Sequence, residues 1–298
     1  MLGKKDTSLY LDYASATPLD AKVFYSMKPY LEKEYGNPSA LHAKGVTAKK
    51  AVTNARKKIA KVLSCQSDEL IFTGSGTESN NLAITGVARA NVKKGNHIII
   101  SAIEHKSVLE TATALEKEGF TITIIPVNEE GFVDTDHILR AINNKTILVS
   151  IMYANNEIGT IQPIKEIAHQ IKELHPNVYI HSDGCQAGGQ LSLSVKQLGV
   201  DLFTLNGSKL YGPKGVGLLY ADSNVVFEPI IHGGGQEKGK RGGTENVATI
   251  VGLAEAIEQS EHKRKKEVIR LEHLRDYAIN EIDKKVYGAL LSGNQKQR

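Results

Sequence analysis

Two lysines stand five residues apart in LNGSKLYGPKGVG (205–217), just after the apolar run DLFTL (201–205). An amine on a tight turn beyond a buried strand can cap the turn, bind a phosphate or act as a nucleophile. Other reactive groups follow other apolar runs in the same way. ELIFT (69–73) leads into GSGTESNN, HIIIS (97–101) into AIEH with Glu104 and His105, and TILVSIM (146–152) into YANNE with Asn155. VYIHS (178–182) is followed by Asp183 and, three residues on, by Gln186, and DLFTL by NGSK with Lys209. An anion cradle, an imidazole, an amide, a carboxylate and an amine are all placed directly after strand-like runs.

The elements that must position these groups read as α/β. Besides the runs above, 121–126 (TITIIP) and 216–220 (VGLLY) have strand character, and helical patterns lie near 77–92, 105–118, 135–143, 163–175 and 194–198. Continuously apolar runs such as HIIIS suit strands covered on both faces. Strand and helix in alternation predict right-handed crossovers and a mostly parallel, seven-stranded sheet flanked by helices. Ligands of such sheets bind beyond the carboxyl ends of the strands, so five strand ends share one rim. From Gly252 onward Val268, Leu271, Leu274, Ala278 and Ile282 recur at helical spacing, and 254–286 reads as one long amphipathic helix or two in series. HGGGQEKGKRGGTEN (232–246) is the one long loop, a kind of segment that tends to be functional or mobile.

Every one of these residues has a plainer reading. GSGTES can be a simple helix cap or a phosphate cradle built from free N–H groups and the helix dipole. His105 can start a helix, Asp183 can cap a turn, Gln186 can be polar surface, and Asn155 and Asn156 can be turn residues. Lys214, inside GPKG, reads as a solvated turn lysine. It is the shared rim that favours function.

Composition narrows the field. The chain has 298 residues, 41% hydrophobic and 23% charged, with no tryptophan and a formal net charge of +4. Much of the excess sits in Lys263, Arg264, Lys265 and Lys266, a solvated helix face with no aromatic platform for stacking bases. No apolar run approaches the roughly 18 residues of a membrane span, and the first residues show no apolar signal-peptide core. Cys65 and Cys185 form no disulfide framework. The expectation is a cytoplasmic protein that binds neither nucleic acid nor membrane, with no metal site.

One cofactor uses all of the rim groups. Pyridoxal phosphate needs a lysine for a Schiff base, an acid against its pyridinium nitrogen and a phosphate cradle. Asp183 can keep the ring nitrogen protonated, an imidazole can stack on the ring and shuttle protons, and an amide such as Gln186 can bond the ring hydroxyl. Lys209 is then hinged by glycine, so that its amine reaches the aldehyde and swings away.

The sequence resembles the cysteine desulfurases, class-V, fold-type-I enzymes of pyridoxal phosphate. YLDYASATP (10–18), GNPSALH (36–42), FTGSGTESNNLAI (72–84), EHKSV (104–108), ILVSIMYANNEIG (147–159), HSDGCQA (181–187), NGSKLYGPKGVG (206–217) and HGGGQEKGKRGGTEN (232–246) carry the resemblance over nearly the whole chain. It implies Lys209 as the Schiff-base lysine, His105 stacked on the ring, Asp183 at the ring nitrogen and Gln186 at the ring hydroxyl. It also implies Asn155 near the hydroxyl and substrate, Gly76 and Thr77 at the phosphate, and Thr244 reaching the phosphate of a partner subunit in a homodimer. The implied reaction moves sulfur from L-cysteine to an acceptor or scaffold protein, leaving alanine.

The chain departs from the pattern in three places. Ser208 stands where the family usually has histidine before the lysine, and Asn206 where it has a phosphate-binding serine, though both can still donate hydrogen bonds to the phosphate. The family's nucleophilic cysteine sits on a loop of a C-terminal small domain, and neither Cys65 nor Cys185 is at that place. The expected organisation is an N-terminal segment (1–16) associated with the small domain, a large cofactor-binding domain (17–255) and an incomplete small domain (256–298), as in a truncated member. Alternatives are a related lyase acting on selenocysteine, a non-catalytic homologue that binds the cofactor, and a degenerate dinucleotide site with Glu104 on a ribose.

Overall fold

The computed structural model describes residues 9–298; residues 1–8, part of the expected N-terminal segment, lie outside the described residues. In chain order the elements are α1 (Ala21–Glu32), α2 (Ala43–Leu63), β1 (Leu70–Thr73), α3 (Gly76–Asn91), β2 (His97–Ser101), α4 (Lys106–Lys117), β3 (Thr121–Ile125) and α5 (Thr135–Ala141). They continue with β4 (Thr146–Ser150), α6 (Ile164–Leu174), β5 (Tyr179–Asp183), α7 (Val195–Leu198), β6 (Leu202–Asn206), β7 (Gly217–Ala221) and α8 (Val247–Lys285). The strands form one seven-stranded sheet in the order β1-β7-β6-β5-β4-β2-β3. Only β7 runs against its neighbours, because residues 207–216 are too short a link for a crossover helix and return the chain antiparallel.

The apolar runs are buried on both faces, as their lack of alternation requires. In β2, Ile98 and Ile100 pack into the layer of α3 and α4, while Ile99 points into the opposite layer. That opposite layer contains two helices the sequence reading does not include, α1 and α2. Much of the buried face of α2 is small, with Ala48, Ala51 and Ala55 beside Val52, Ile59 and Leu63, and interleaved lysines dilute the periodicity. Burial of Ile59 and Leu63 contributes about 1.5–3 kcal/mol each. Both α1 and α2 pack on α8.

The C-terminal pattern resolves into one helix, not two. It starts at Val247, where the Asn246 side chain accepts the Thr249 N–H. The position expected for a domain boundary, 255/256, falls inside it. Its buried side chains end at Ile257, after which the helix leaves the flank of the sheet. Strands β5, β6 and β7 each sit one residue later than the apolar runs imply. Asp183 and Asn206 are therefore terminal strand residues, with Asp183 paired to Thr204 in the ladder, and this fixes their backbones.

Candidate active site

A cavity of about 520 Å³ opens at the carboxyl ends of the strands, walled by Gly76, Thr77, His105, Asp183, Gln186, Asn206 and Lys209 among others. Three expected residues are not in its wall. Asn155 is turned into its own loop: its Nδ2 donates to the Ile103 carbonyl at 2.9 Å, and its Oδ1 accepts the N–H groups of Glu157 and Ile158. The neighbouring Asn156 lines the cavity instead. Ser208 spends its hydroxyl on Asn206 Oδ1 at 3.1 Å. Thr244, expected to serve a second subunit, lies in a separate cavity of about 180 Å³ with Arg241 and Gly74.

Asp183 is 5% exposed. Its Oδ1 accepts the Cys185 N–H at 2.9 Å and its Oδ2 accepts Asn80 Nδ2 at 2.7 Å. Among the described residues no Lys, Arg or His forms an ion pair with it, so a nearly buried carboxylate faces the cavity with neutral donors only. Such a group is costly to bury without a cation, and a cationic N–H from a ligand would offset that cost.

Lys209 projects from the turn after β6, and its Nζ donates to the carbonyls of Ala14, at 2.8 Å, and Ser15. Gln186 Nε2 meets the same Ala14 carbonyl at 3.0 Å, so residues 14 and 15 form one rim of the cavity. The turn is anchored, not hinged. The Gly207 carbonyl accepts N–H groups from Leu210 and Gly212, and a Cβ on Gly207 would lie 2.6 Å from the Pro213 carbonyl oxygen. Glycine is needed here for close approach, and any swing of the amine comes from the lysine side chain itself. Lys214 is exposed on the same turn.

The cradle lies at the start of α3. Ser75 caps the helix by accepting the Glu78 N–H at 3.1 Å, which leaves the N–H groups of Gly76 and Thr77 at the cavity wall beside the positive end of the helix dipole. A Cβ on Gly76 would sit 2.7 Å from Cys185 Sγ and 3.4 Å from Asn206 Nδ2. The Asn206 Oδ1 is already occupied by Ser208, so its NH2 is the end left to face this corner. His105 caps α4, its Nδ1 accepting the Ser107 N–H at 3.1 Å.

Neither thiol is activated. Burial, reinforced by the Asp183 carboxylate, raises the Cys185 thiol well above its usual range. Burial with Glu69 and Asp68 nearby pushes Cys65 up to about 12. A reactive cysteine needs the opposite environment.

Glu104 is fully enclosed. Its Oε1 accepts from Ser101 Oγ at 2.6 Å and from the Met152 N–H at 2.7 Å, while Oε2 finds no partner among the described residues. This placement overturns the ribose role weighed for it. Burial pushes its pKa from 4.5 up to about 8. Between those values the fold keeps a proton that the unfolded chain gives up, so stability falls as pH rises through that window. Glu104→Gln removes the slope, and its stability relative to the parent is expected to rise by about 5 kcal/mol across the window. Denaturant unfolding of both proteins below and above it is the check; parallel pH profiles would refute the assignment.

Comparison with known proteins gives the chain's family. The family described as Aminotransferase class-V matches residues 9–298. The chain belongs to that family. Within it the likeness is to cysteine desulfurases: 50% identity over 290 residues with cysteine desulfurase IscS of Dictyoglomus turgidum, covering 97% of this chain and 73% of the relative. The IscS of Methanosarcina thermophila is 45% identical over 294 residues, covering 99% and 72%. Among solved structures, a NifS-like protein superposes with a TM-score of 0.91 at 37% identity, covering 93% of this chain and 76% of that one. A structure titled SspA in complex with cysteine matches with a TM-score of 0.81 at 38% identity, covering 88% and 78%. Membership in the cysteine desulfurase group of class-V aminotransferases implies use of pyridoxal phosphate.

The cavity of this family member also holds residues that the sequence reading passed over. Asn80 and Ser107 line it between Asp183 and His105, and Asp12 and Glu157 are also in its wall. Asn80 follows Gly76 by one helical turn, a spacing that puts both on one face.

Proposed function

We propose that the chain holds pyridoxal phosphate in the 520 Å³ cavity, bound covalently through Lys209, and activates L-cysteine for desulfuration. The observation that carries this reading is the pairing, in one cavity, of the Lys209 amine with the Asp183 carboxylate, nearly buried and without a cation. The cofactor, when bound, supplies an electron sink for the bond broken at the substrate's Cα.

The remaining work falls to the chain. Asp183 holds a proton on the ring nitrogen, with its own orientation set by Cys185 N–H and Asn80. The N–H groups of Gly76 and Thr77 and the NH2 of Asn206 hold the phosphate. Gln186 would stand at the ring hydroxyl. The Lys209 amine would hold the cofactor covalently and, when free, would serve as the base for the substrate's Cα proton. His105, with Nδ1 committed to Ser107, carries its proton on Nε2 and exchanges it with the substrate.

Thr244 acts in a homodimer, and sulfur passes to an acceptor or scaffold protein. Exposed Tyr35, Leu41 and Val46 offer apolar area for a second copy. Both cysteines are unpaired, which suits a reducing cytoplasm, and no helix among the described residues is long and apolar enough to cross a membrane. The test is borohydride reduction of protein loaded with pyridoxal phosphate, followed by peptide mapping. The pyridoxyl group is expected on Lys209; label on Lys214, or none, would overturn the reading.

A further inference from the structure

Asn80 lines the cavity and hydrogen-bonds two other members of its wall, Asp183 and Ser107. Its side chain is buried, with 1% of the residue exposed. Its Nδ2 donates to Asp183 Oδ2 at 2.7 Å and to Ser107 Oγ at 2.8 Å, which spends both amide hydrogens. Ser107 Oγ in turn lies 2.8 Å from His105 Nδ1, the atom that already accepts the Ser107 backbone N–H. A nitrogen that accepts carries no proton, and the Ser107 oxygen has received one from Asn80. The hydroxyl's own hydrogen is therefore directed at Nδ1.

The orientation of the amide is also forced. Turning it over would set its oxygen against the Asp183 carboxylate, a repulsive contact. The retained orientation leaves Asn80 Oδ1 buried with no partner among the described residues. Buried acceptors are rarely left unmatched, and this one belongs to the amide that links a carboxylate, through Ser107, to an imidazole, both lining the cavity.

We infer that Asn80 is a positioning residue. It ties the Asp183 carboxylate and, through Ser107, the His105 imidazole into one hydrogen-bonded frame, and it keeps the imidazole proton on Nε2. The inference rests on the reading of the cavity given above, since the frame serves the ring nitrogen and the substrate only if the cofactor binds there.

The test reads the imidazole directly, in protein without cofactor. Nitrogen-15 NMR of histidine-labelled protein resolves His105, assigned by its loss in His105→Gln. Asn80→Ala and Ser107→Ala are expected to move the Nδ1 resonance in the same direction, and the double variant no further than Ser107→Ala alone, because groups acting through one another are not additive. Ser107→Thr, which keeps the hydroxyl, should restore the parent position. Pyridoxal phosphate should bind about tenfold more weakly to Asn80→Ala than to Ser107→Ala, since only Asn80 touches Asp183.

An unmoved Nδ1 resonance in a folded Asn80→Ala protein, or additive shifts in the double variant, would overturn the inference. Should Asn80→Ala not fold, the Ser107→Ala and Ser107→Thr pair decides: no shift in the first overturns it equally. Failure of the cofactor reading is distinguishable, because an unlabelled Lys209 with a shifted Nδ1 sinks that reading and leaves the frame standing.

Discussion

Asp183→Asn leaves a borohydride-reducible link at Lys209 but lowers the pKa of the cofactor's ring nitrogen by about 1–3 units, the range that a neighbouring opposite charge commands. Each unit is worth about 1.4 kcal/mol, so exchange of the substrate's Cα hydrogen with solvent should slow by about ten- to a thousandfold. The structure makes the variant doubly unfavourable. Both carboxylate oxygens accept, one from Cys185 N–H and one from Asn80, so an amide at this position must turn its NH2 against a donor. Ring-nitrogen titration by NMR in parent and variant, with deuterium uptake into L-alanine as the second readout, tests both parts. Identical titrations would remove Asp183 from the ring.

With excess L-cysteine and reductant, the 298-residue chain is expected to release little sulfide, and Cys185→Ala should not lower the rate. Attack on the substrate's sulfur needs a thiolate. A thiol held near 12, as in Cys65, supplies thiolate at neutral pH at only about one part in a hundred thousand. Cys185 is raised too, and its Sγ faces Gly76 at the helix start, with its backbone N–H spent on Asp183. It has neither the charge nor the reach to carry sulfur away. Brisk sulfide and alanine production that disappears in Cys185→Ala would make Cys185 the nucleophile after all.

The sheet was legible because its strands are short, β-branched and apolar on both faces, so that HIIIS can be little else. The strand-end rim followed from topology alone. Helix α2 was not legible because its largely alanine face and scattered lysines give no strong period, and α1 was not because it buries only Val23 and Met27. Asn155 has two readings for a related reason: asparagines serve turns and ligands with the same amide, and here its amide bonds Ile103 and Glu157. The glycine before Lys209 also has two readings, hinge and close approach, which differ only once the Pro213 carbonyl is located. Asn80 was in plain view in GTESNN, but its importance depends on Asp183, 103 residues away, and no local pattern reports that distance.

The reversed strand β7 contributes no side chain to the chemistry described above, yet it acts as the ruler of the site. Its first residue, Gly217, pairs with Thr73 at the end of β1 and with Asn206 at the end of β6. The turn that opens the phosphate cradle and the turn that carries Lys209 are therefore measured from one common mark. Lengthening or shortening the 207–216 link by a residue would shift that mark on one side only, and every side chain of the slipped strand would change faces. Spacing between cradle and amine is thus written into the alignment of a strand whose first residue abuts both turns, which makes length in this loop a stricter requirement than the identity of most of its residues.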